Sequence, residues 1–308
     1  MTLKVSLDDI QKSLPNEVDY WITCASFENR SLTLIECQSD LKINNIIQFY
    51  FEQNKSEVET CVNKHEQKFS GKIKKASIDM RSPYTIVDNV LNLLPEKSLI
   101  NKSIVFDIST FTRESLLIIF KYLNLVKGIC KSVHLLYRAA NTSKNLSNGL
   151  LDVRSIIGYM GELEHAKPIH LIVLSGFEQE RAKSMIEQIE PQYITIAYGS
   201  KSCSISEGLY DTNKALTQQL ISYYSNENID FFEHSLIDPI DTKNTLLNYL
   251  SKYGDRNFVV APLNNKISTI GVGMAAIERK DIQVCYSQMG SYNFNYSEAR
   301  DEVYIFEI

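Results

Sequence analysis

Two stretches of this chain repeat the same phrase, and that repetition limits the possible folds more than any other feature. Cys24 to Ser31, "CASFENRS", follows the apolar run "DYWITCA" and precedes "RSLTLIECQ", whose apolar residues fall at helical spacing. Leu174 to Ala182, "LSGFEQERA", follows "HLIVLSG" and leads into Ala182, Met185, Ile186 and Ile189, one face of a helix. Phe27-Glu28 thus matches Phe177-Glu178, and Arg30 matches Arg181 after one inserted residue. Further matches follow in the same order. "IIQFYF" (Ile46 to Phe51) matches "YITIAY" (Tyr193 to Tyr198), and Ala76 to Leu94 matches His234 to Leu250, each an apolar pair, an Asp, a Pro-bearing turn and a Leu-rich helix. "SIVFDIS" (Ser103 to Ser109) matches "NFVVAPL" (Asn257 to Leu263), and "SVHLLYR" (Ser132 to Arg138) matches "IQVCYSQ" (Ile282 to Gln288). The offsets stay near one value, 178 − 28 = 150, 238 − 79 = 159 and 286 − 137 = 149, as an internal duplication requires.

Each copy alternates strand-like and helix-like runs. Its core strands are nearly continuous apolar stretches, the mark of strands covered by helices on both faces. The expected class is α/β: two tandem Rossmann-like domains, mostly parallel sheets flanked by helices. At 308 residues the chain has the length of two such domains. The expected boundaries are 1–140 for the first repeat, 141–167 for a polar, Gly-bearing linker with one short helix or arm, and 168–308 for the second repeat. That second repeat ends in a strand extension, Val303 to Ile308, expected as an antiparallel edge.

A net charge of −5 without a Lys/Arg block disfavours nucleic acid as the main partner. No apolar run reaches the length of a membrane span, and the amino terminus carries acids early with no signal-like apolar core, so a cytoplasmic protein is expected. Six scattered cysteines with no CxxC pair read as buried free thiols, which disfavours zinc. No cofactor is called for.

In open α/β sheets, ligands bind at the carboxyl ends of the parallel strands, where loops turn and helix amino termini point outward. The repeat places its polar residues there. Glu28 with Arg30, and Glu178 with Arg181, have two readings: a structural ion pair at the start of a helix, or the lining of a cleft between the halves in which Arg grips a phosphate or carboxylate. "DISTFTRES" sets Asp107, Ser109, Thr110 and Arg113 at the mouth of a helix, either as a plain cap or as an anion site. "APLNNKISTIGVG" sets Asn264, Asn265 and Lys266 at the matching strand end, and its Gly271 and Gly273 point to close packing. No P-loop, no helix-opening GxGxxG, no GxSxG elbow and no HExxH occurs, so ATP hydrolysis and ordinary dinucleotide binding lose ground. His134 and His170 read as core or edge histidines rather than bases. Asp79, Asp107 and Asp238 at strand ends either cap helices or hold Mg²⁺, with capping favoured.

This two-copy layout, with polar loops at matching strand ends, resembles the CARF/SAVED group of ligand-sensing domains, in which two such units face each other across a nucleotide-binding cleft. Asp107 to Arg113 lies where that group often carries a Gly-Gly-Thr-Lys-like turn; here the glycines are missing, while Asn264-Asn265-Lys266 keeps a basic end. The "SGFExxR" and "APLNNK" phrases are similar to those of prokaryotic proteins linked to antiviral defence. The resemblance implies a regulatory component that binds a nucleotide or other anionic small molecule between its halves, with a partner protein delivering the output. The alternatives are a nucleotide-processing hydrolase using strand-end carboxylates, and a non-catalytic subunit of a defence complex.

Overall fold

The computed structural model describes residues 2–37, 41–142, 146–224, 229–294 and 297–308. They form two compact units, Met1–Asn141 with Ser297–Ile308, and Thr142–Tyr296. In chain order the first unit contains β1 (Leu3–Ser6), β2 (Glu17–Cys24), α1 (Thr33–Glu36), β3 (Lys42–Phe51), α2 (Lys55–Lys68), β4 (Ile73–Ile78), α3 (Tyr84–Leu93), β5 (Ser103–Asp107), α4 (Arg113–Val126) and β6 (Ser132–Thr142). The second contains β7 (Ser147–Ser155), β8 (Ile169–Leu174), α5 (Gln179–Ile189), β9 (Tyr193–Gly199), α6 (Glu207–Tyr223), β10 (Ile229–His234), α7 (Pro239–Leu250), β11 (Asn257–Pro262), α8 (Lys266–Glu278) and β12 (Ile282–Tyr292). The last strand, β13 (Ser297–Glu307), belongs to the first unit.

The sheet of the first unit runs β1-β13-β6-β5-β2-β3-β4, and that of the second β10-β9-β8-β11-β12-β7. Strands β2 to β6 are parallel, as are β8 to β12. Counting only these five, each unit has the order third-second-first-fourth-fifth, that of the Rossmann fold. The duplication thus appears in topology as well as in sequence. The fourth strand of each unit lies between neighbours on both sides and is buried along its whole length, β5 as SIVFD and β11 as NFVVAP. Trp21, Ile46, Val105 and Leu136 pack in one core, and Leu171, Met185, Ile196 and Val259 in the other. Gly271 of α8 meets α7 where a Cβ would fall 2.6 Å from the Pro239 carbonyl, so the close packing expected of this glycine is present.

Three features differ from the sequence reading. The stretch 141–167 is not only a connection, because β7 pairs antiparallel with β12. An antiparallel edge strand needs only one apolar face, so polar composition concealed it. The carboxyl-terminal strand does not extend the second sheet: β13 lies inside the first, antiparallel to β1 and beside β6. Each copy therefore passes the strand after its fifth parallel strand to the sheet of the other. In the first copy, the helix expected over "RSLTLIECQ" is a 3-10 turn at Asn29–Leu32 followed by the four residues of α1. Among the described residues no helix is long and apolar enough to cross a membrane.

Candidate functional site

The repeated loops make the same contact twice. Arg30 donates from Nε to Glu28 Oε2 (2.9 Å) and from Nη1 to the Arg138 carbonyl (3.2 Å), and lies over the Tyr137 ring at 5.7 Å. Arg181 donates from Nη1 to Glu178 Oε2 (2.9 Å), from Nε to Ser287 Oγ (2.6 Å) and from Nη2 to the Ser287 carbonyl, and lies over the Tyr286 ring at 5.6 Å. The acceptors correspond across the repeat, since 287 − 138 and 286 − 137 both equal 149. Each arginine therefore ties the loop after its unit's first strand to its fifth. Glu28 and Arg30 are 7% and 6% exposed, and Arg181 is 4% exposed. A guanidinium buried this deeply has to be matched by carboxylate and carbonyl oxygens, and here it is. Ser147 adds a hydrogen bond to Glu178, and Arg138 bonds the Arg300 carbonyl at 2.8 Å and Glu36.

The second group lies where strand order reverses, between the ends of the first and fourth strands, the ligand crevice of open α/β sheets. In the first unit Asp107 is fully buried and accepts from both the N–H (3.0 Å) and the hydroxyl (2.5 Å) of Ser109, whose Oγ in turn accepts from the Arg138 N–H at 2.9 Å. Burial, only partly offset by Ser109 and by the charges of Arg30 and Arg138, pushes the Asp107 carboxyl up to about 6. Thr110 crosses the crevice to the Cys24 carbonyl at 2.7 Å. Phe111 packs edge-on against Phe49 and Phe106, and Thr112 caps α4 by accepting from the Ser115 N–H (3.2 Å). Arg113 is the first residue of that helix.

The second unit repeats the plan with other residues. Asn264 crosses to the Ser175 carbonyl (2.6 Å), and Asn265 caps α8 through the Ser268 N–H (2.9 Å) and reaches the Leu236 carbonyl (2.7 Å). Lys266 is the first residue of α8. Asn213 of α6, which no sequence motif marked, donates to the carbonyls of Ser175 and Gly176 at 3.0 and 3.1 Å. Gly176 is required here because a Cβ would fall 2.3 Å from the Leu263 carbonyl oxygen. Asp107, Ser109 and Thr110 are thus brought together in the first unit, and Asn264 with Asn265 in the second.

Asp238 caps α7 through the N–H groups of Ile240 and Asp241, and half-buried Asp79 accepts from Gln53 and Arg81. Among the described residues no three His, Cys, Asp or Glu side chains gather as a metal site. A groove of about 570 Å³, not marked in the sequence, opens in the first unit beside the end of β3, one strand over from β2. Tyr50, Val58 and Val62 form its apolar part, and Glu52, Gln53 and Lys75 are among its polar residues. All six cysteines are free, but only Cys24, Cys37, Cys61 and Cys285 are buried as the sequence reading expected, while Cys130 and Cys203 are half-buried.

No family model matches the chain, and no curated protein matches it. Among solved structures it is similar to an adenylation, ketoreductase and pseudo Asub multidomain structure of a keto acid-selecting NRPS module. The identity is 7%, the TM-score 0.25, and the match covers 91% of this chain and 31% of that one. Nothing about this chain is drawn from a likeness of that size.

Proposed function

We propose that this protein is a regulatory sensor component that binds a nucleotide or other anionic small molecule at the strand-end crevices. One observation carries the reading. In both units the helix after the fourth strand is capped by a side chain, Thr112 or Asn265, and opens with a cation, Arg113 or Lys266. A cation at a helix amino terminus opposes the macrodipole, and a bound anion reverses that cost. The duplicated chain keeps a cation at this helix start in both copies while changing the residue types around it, with Glu114 following Arg113 in α4 and no acid in the first turn of α8. The groove at β3 adds the volume of a small-ligand pocket and an acid, Glu52, just past the second strand, where Rossmann-type units hold a ribose. The defence setting rests on the resemblance of the loop phrases alone, and the output is assigned to a partner protein.

Native mass spectrometry of protein from its own host, followed by denaturation and identification of any released molecule, tests the reading. ATP and a cyclic dinucleotide serve as added probes in thermal-shift and calorimetric titrations. The expected result is a bound nucleotide whose affinity falls at least tenfold in Arg113→Ala and Lys266→Ala proteins of unchanged circular dichroism. No released molecule and no response to either probe would overturn it. Probe turnover that is lost in Asp107→Asn would replace sensing with catalysis.

A further inference from the structure

We infer that the outer edge of β7 is an interface with a second copy of this chain, formed by antiparallel pairing of β7 with its counterpart about a two-fold axis at Val153. The two units supply the argument. At an offset of 150 the repeat aligns Asp152-Val153 of β7 with Glu302-Val303 of β13, each lying beside the fifth parallel strand of its sheet. In the first unit β1 covers this edge, with Val5 opposite Val303 and Lys4 within 3.8 Å of Glu302. In the second unit β7 ends the sheet.

The ladder fixes which backbone groups remain for a new strand. Ile156 donates to the Val284 carbonyl at 2.9 Å, so even-numbered residues up to there face β12, while Val153 and Ser155 turn their N–H and carbonyl groups outward. Among the described residues those outward groups meet no backbone partner. Leu151 stands 65% exposed at the bulge, where the register to β12 shifts. Val153 packs its side chain on the core, so the edge is held firmly in place.

Charge selects the occupant. Within one copy Arg154 bonds Asp152 (3.1 Å) and Gln288 (2.7 Å). An antiparallel copy centred on Val153 sets this pair opposite its counterpart with Asp152 facing Arg154 of the other copy, twice, and makes Val153 a hydrogen-bonded pair with itself. Centring on Asp152 or on Arg154 instead faces like charges directly, which destabilises a sheet pair. The complementary register matches the one in the first unit, where the equivalent valine faces Val5 and the equivalent acid has a basic neighbour across the strand. Centred on Val153 and ended by the bulge at Leu151, the ladder spans 151–155, nearly as short as the four residues of β1, so the association is expected to depend on concentration.

Light scattering on the intact chain over a concentration series reads the outcome. The wild type is expected to approach twice the 35.2 kDa chain mass. Val153→Pro removes an N–H that β12 does not use, and so gives a monomer, whereas Val153→Ala, which loses the same core packing but keeps the N–H, stays dimeric. Asp152→Arg and Arg154→Asp each set like charges across the axis and give monomers, while an equimolar mixture of the two restores a dimer, because every facing pair is then opposite in sign. A wild type that stays monomeric throughout, or a dimer that survives Val153→Pro, overturns the inference. So does a mixture that stays monomeric when both single variants keep the wild-type circular dichroism. Should either charge variant fail to fold, Val153→Pro alone decides.

Discussion

The two units share a frame and differ in what they mount on it. Both keep the arginine tie from the first strand's loop to the fifth strand, and both keep a capped, cation-bearing helix after the fourth strand. At the crevice, however, the first unit buries Asp107 where the repeat places Ala261 in the second. At the opposite end of the sheet, the first unit has a plain ion pair, Lys102 to Asp19 at 3.0 Å. The second has Arg256, the match of Lys102, held between the rings of Tyr193 and Tyr253 at 3.6 and 4.1 Å and starting a polar chain. Arg256 can only donate, so His170 Nδ1 accepts from it (3.4 Å) and Nε2–H passes to Thr195 (2.7 Å), which donates to Tyr249 (2.7 Å), which donates to Asp230 (2.8 Å). Duplication preserved the groups that hold loop to sheet and freed those at the crevice and at the base of the sheet. The retained set is the scaffold, and the divergent set is where specific chemistry belongs.

The largest effect should come from cutting the retained tie. Arg30→Ala takes the guanidinium from buried Glu28, and Arg181→Ala takes it from Glu178; each is expected to cost about 3–5 kcal/mol. Amide hydrogen exchange localises the loss. Arg30→Ala should speed exchange first in β2 and β6, and Arg181→Ala first in β8 and β12. A neutral result for either one would mean that its loop is not part of the shared frame, and would break the comparison on that side.

How far the sequence revealed this depended on the kind of signal. The parallel strands were legible because burial on both faces leaves uninterrupted apolar runs, and their pairing across the repeat was legible because the order was kept. Strand β7 was hidden by its polar outer face, and the placement of β13 in the first unit's sheet is a long-range pairing that no local pattern encodes. For the candidate site, "FExR" in the first copy and "FExxR" in the second identified the residues, and the structure assigns their hydrogen bonds to Arg138 and Ser287, more than a hundred residues away. Asn213 carries no motif; a lone Asn facing inward from α6 was the only available sign. The Arg256 to Asp230 chain draws on five separate segments, so its members look ordinary one at a time.

Acidity should separate the units next. Burial, reinforced for His170 by the charge of Arg256, holds both His170 and His234 down at about 4. Unfolded, each would titrate near 6.5, so between those values the unfolded chain binds more protons and stability falls as pH drops from about 6.5 to 4, by roughly 2–3 kcal/mol per histidine. Asp107 has the opposite sign. Its folded value of about 6 exceeds the unfolded one, so its penalty grows as pH rises from about 4 to 6 and is complete above that. Burial also holds His65 and His134 of the first unit below the ordinary imidazole value. Acidification should therefore release exchange protection in the second unit more than in the first, where the gain at Asp107 opposes that loss, and Asp107→Asn should stabilise the first unit at pH 7 by about 2 kcal/mol. Equal loss of protection in both sheets would show that the gain at Asp107 does not separate the units.

The smallest effect tests how closely the two helix starts correspond. Thr112→Ala removes an acceptor from the Ser115 N–H, at a cost of about 1 kcal/mol. Asn265→Ala removes the same kind of acceptor from Ser268 and also the donor to the Leu236 carbonyl, so about 2 kcal/mol is expected. Asn265→Asp separates the two contributions, because it keeps the cap and loses only the donor, and it also adds a negative charge favourable to the dipole. If the caps are equivalent and the excess belongs to Leu236, Asn265→Asp should recover the cap's share and leave Asn265→Ala about 1 kcal/mol worse. If Asn265→Asp is as damaging as Asn265→Ala, the amide's bridge to the loop before α7 outweighs the cap. The second unit would then hold its helix start by a cross-loop bond where the first uses a local one.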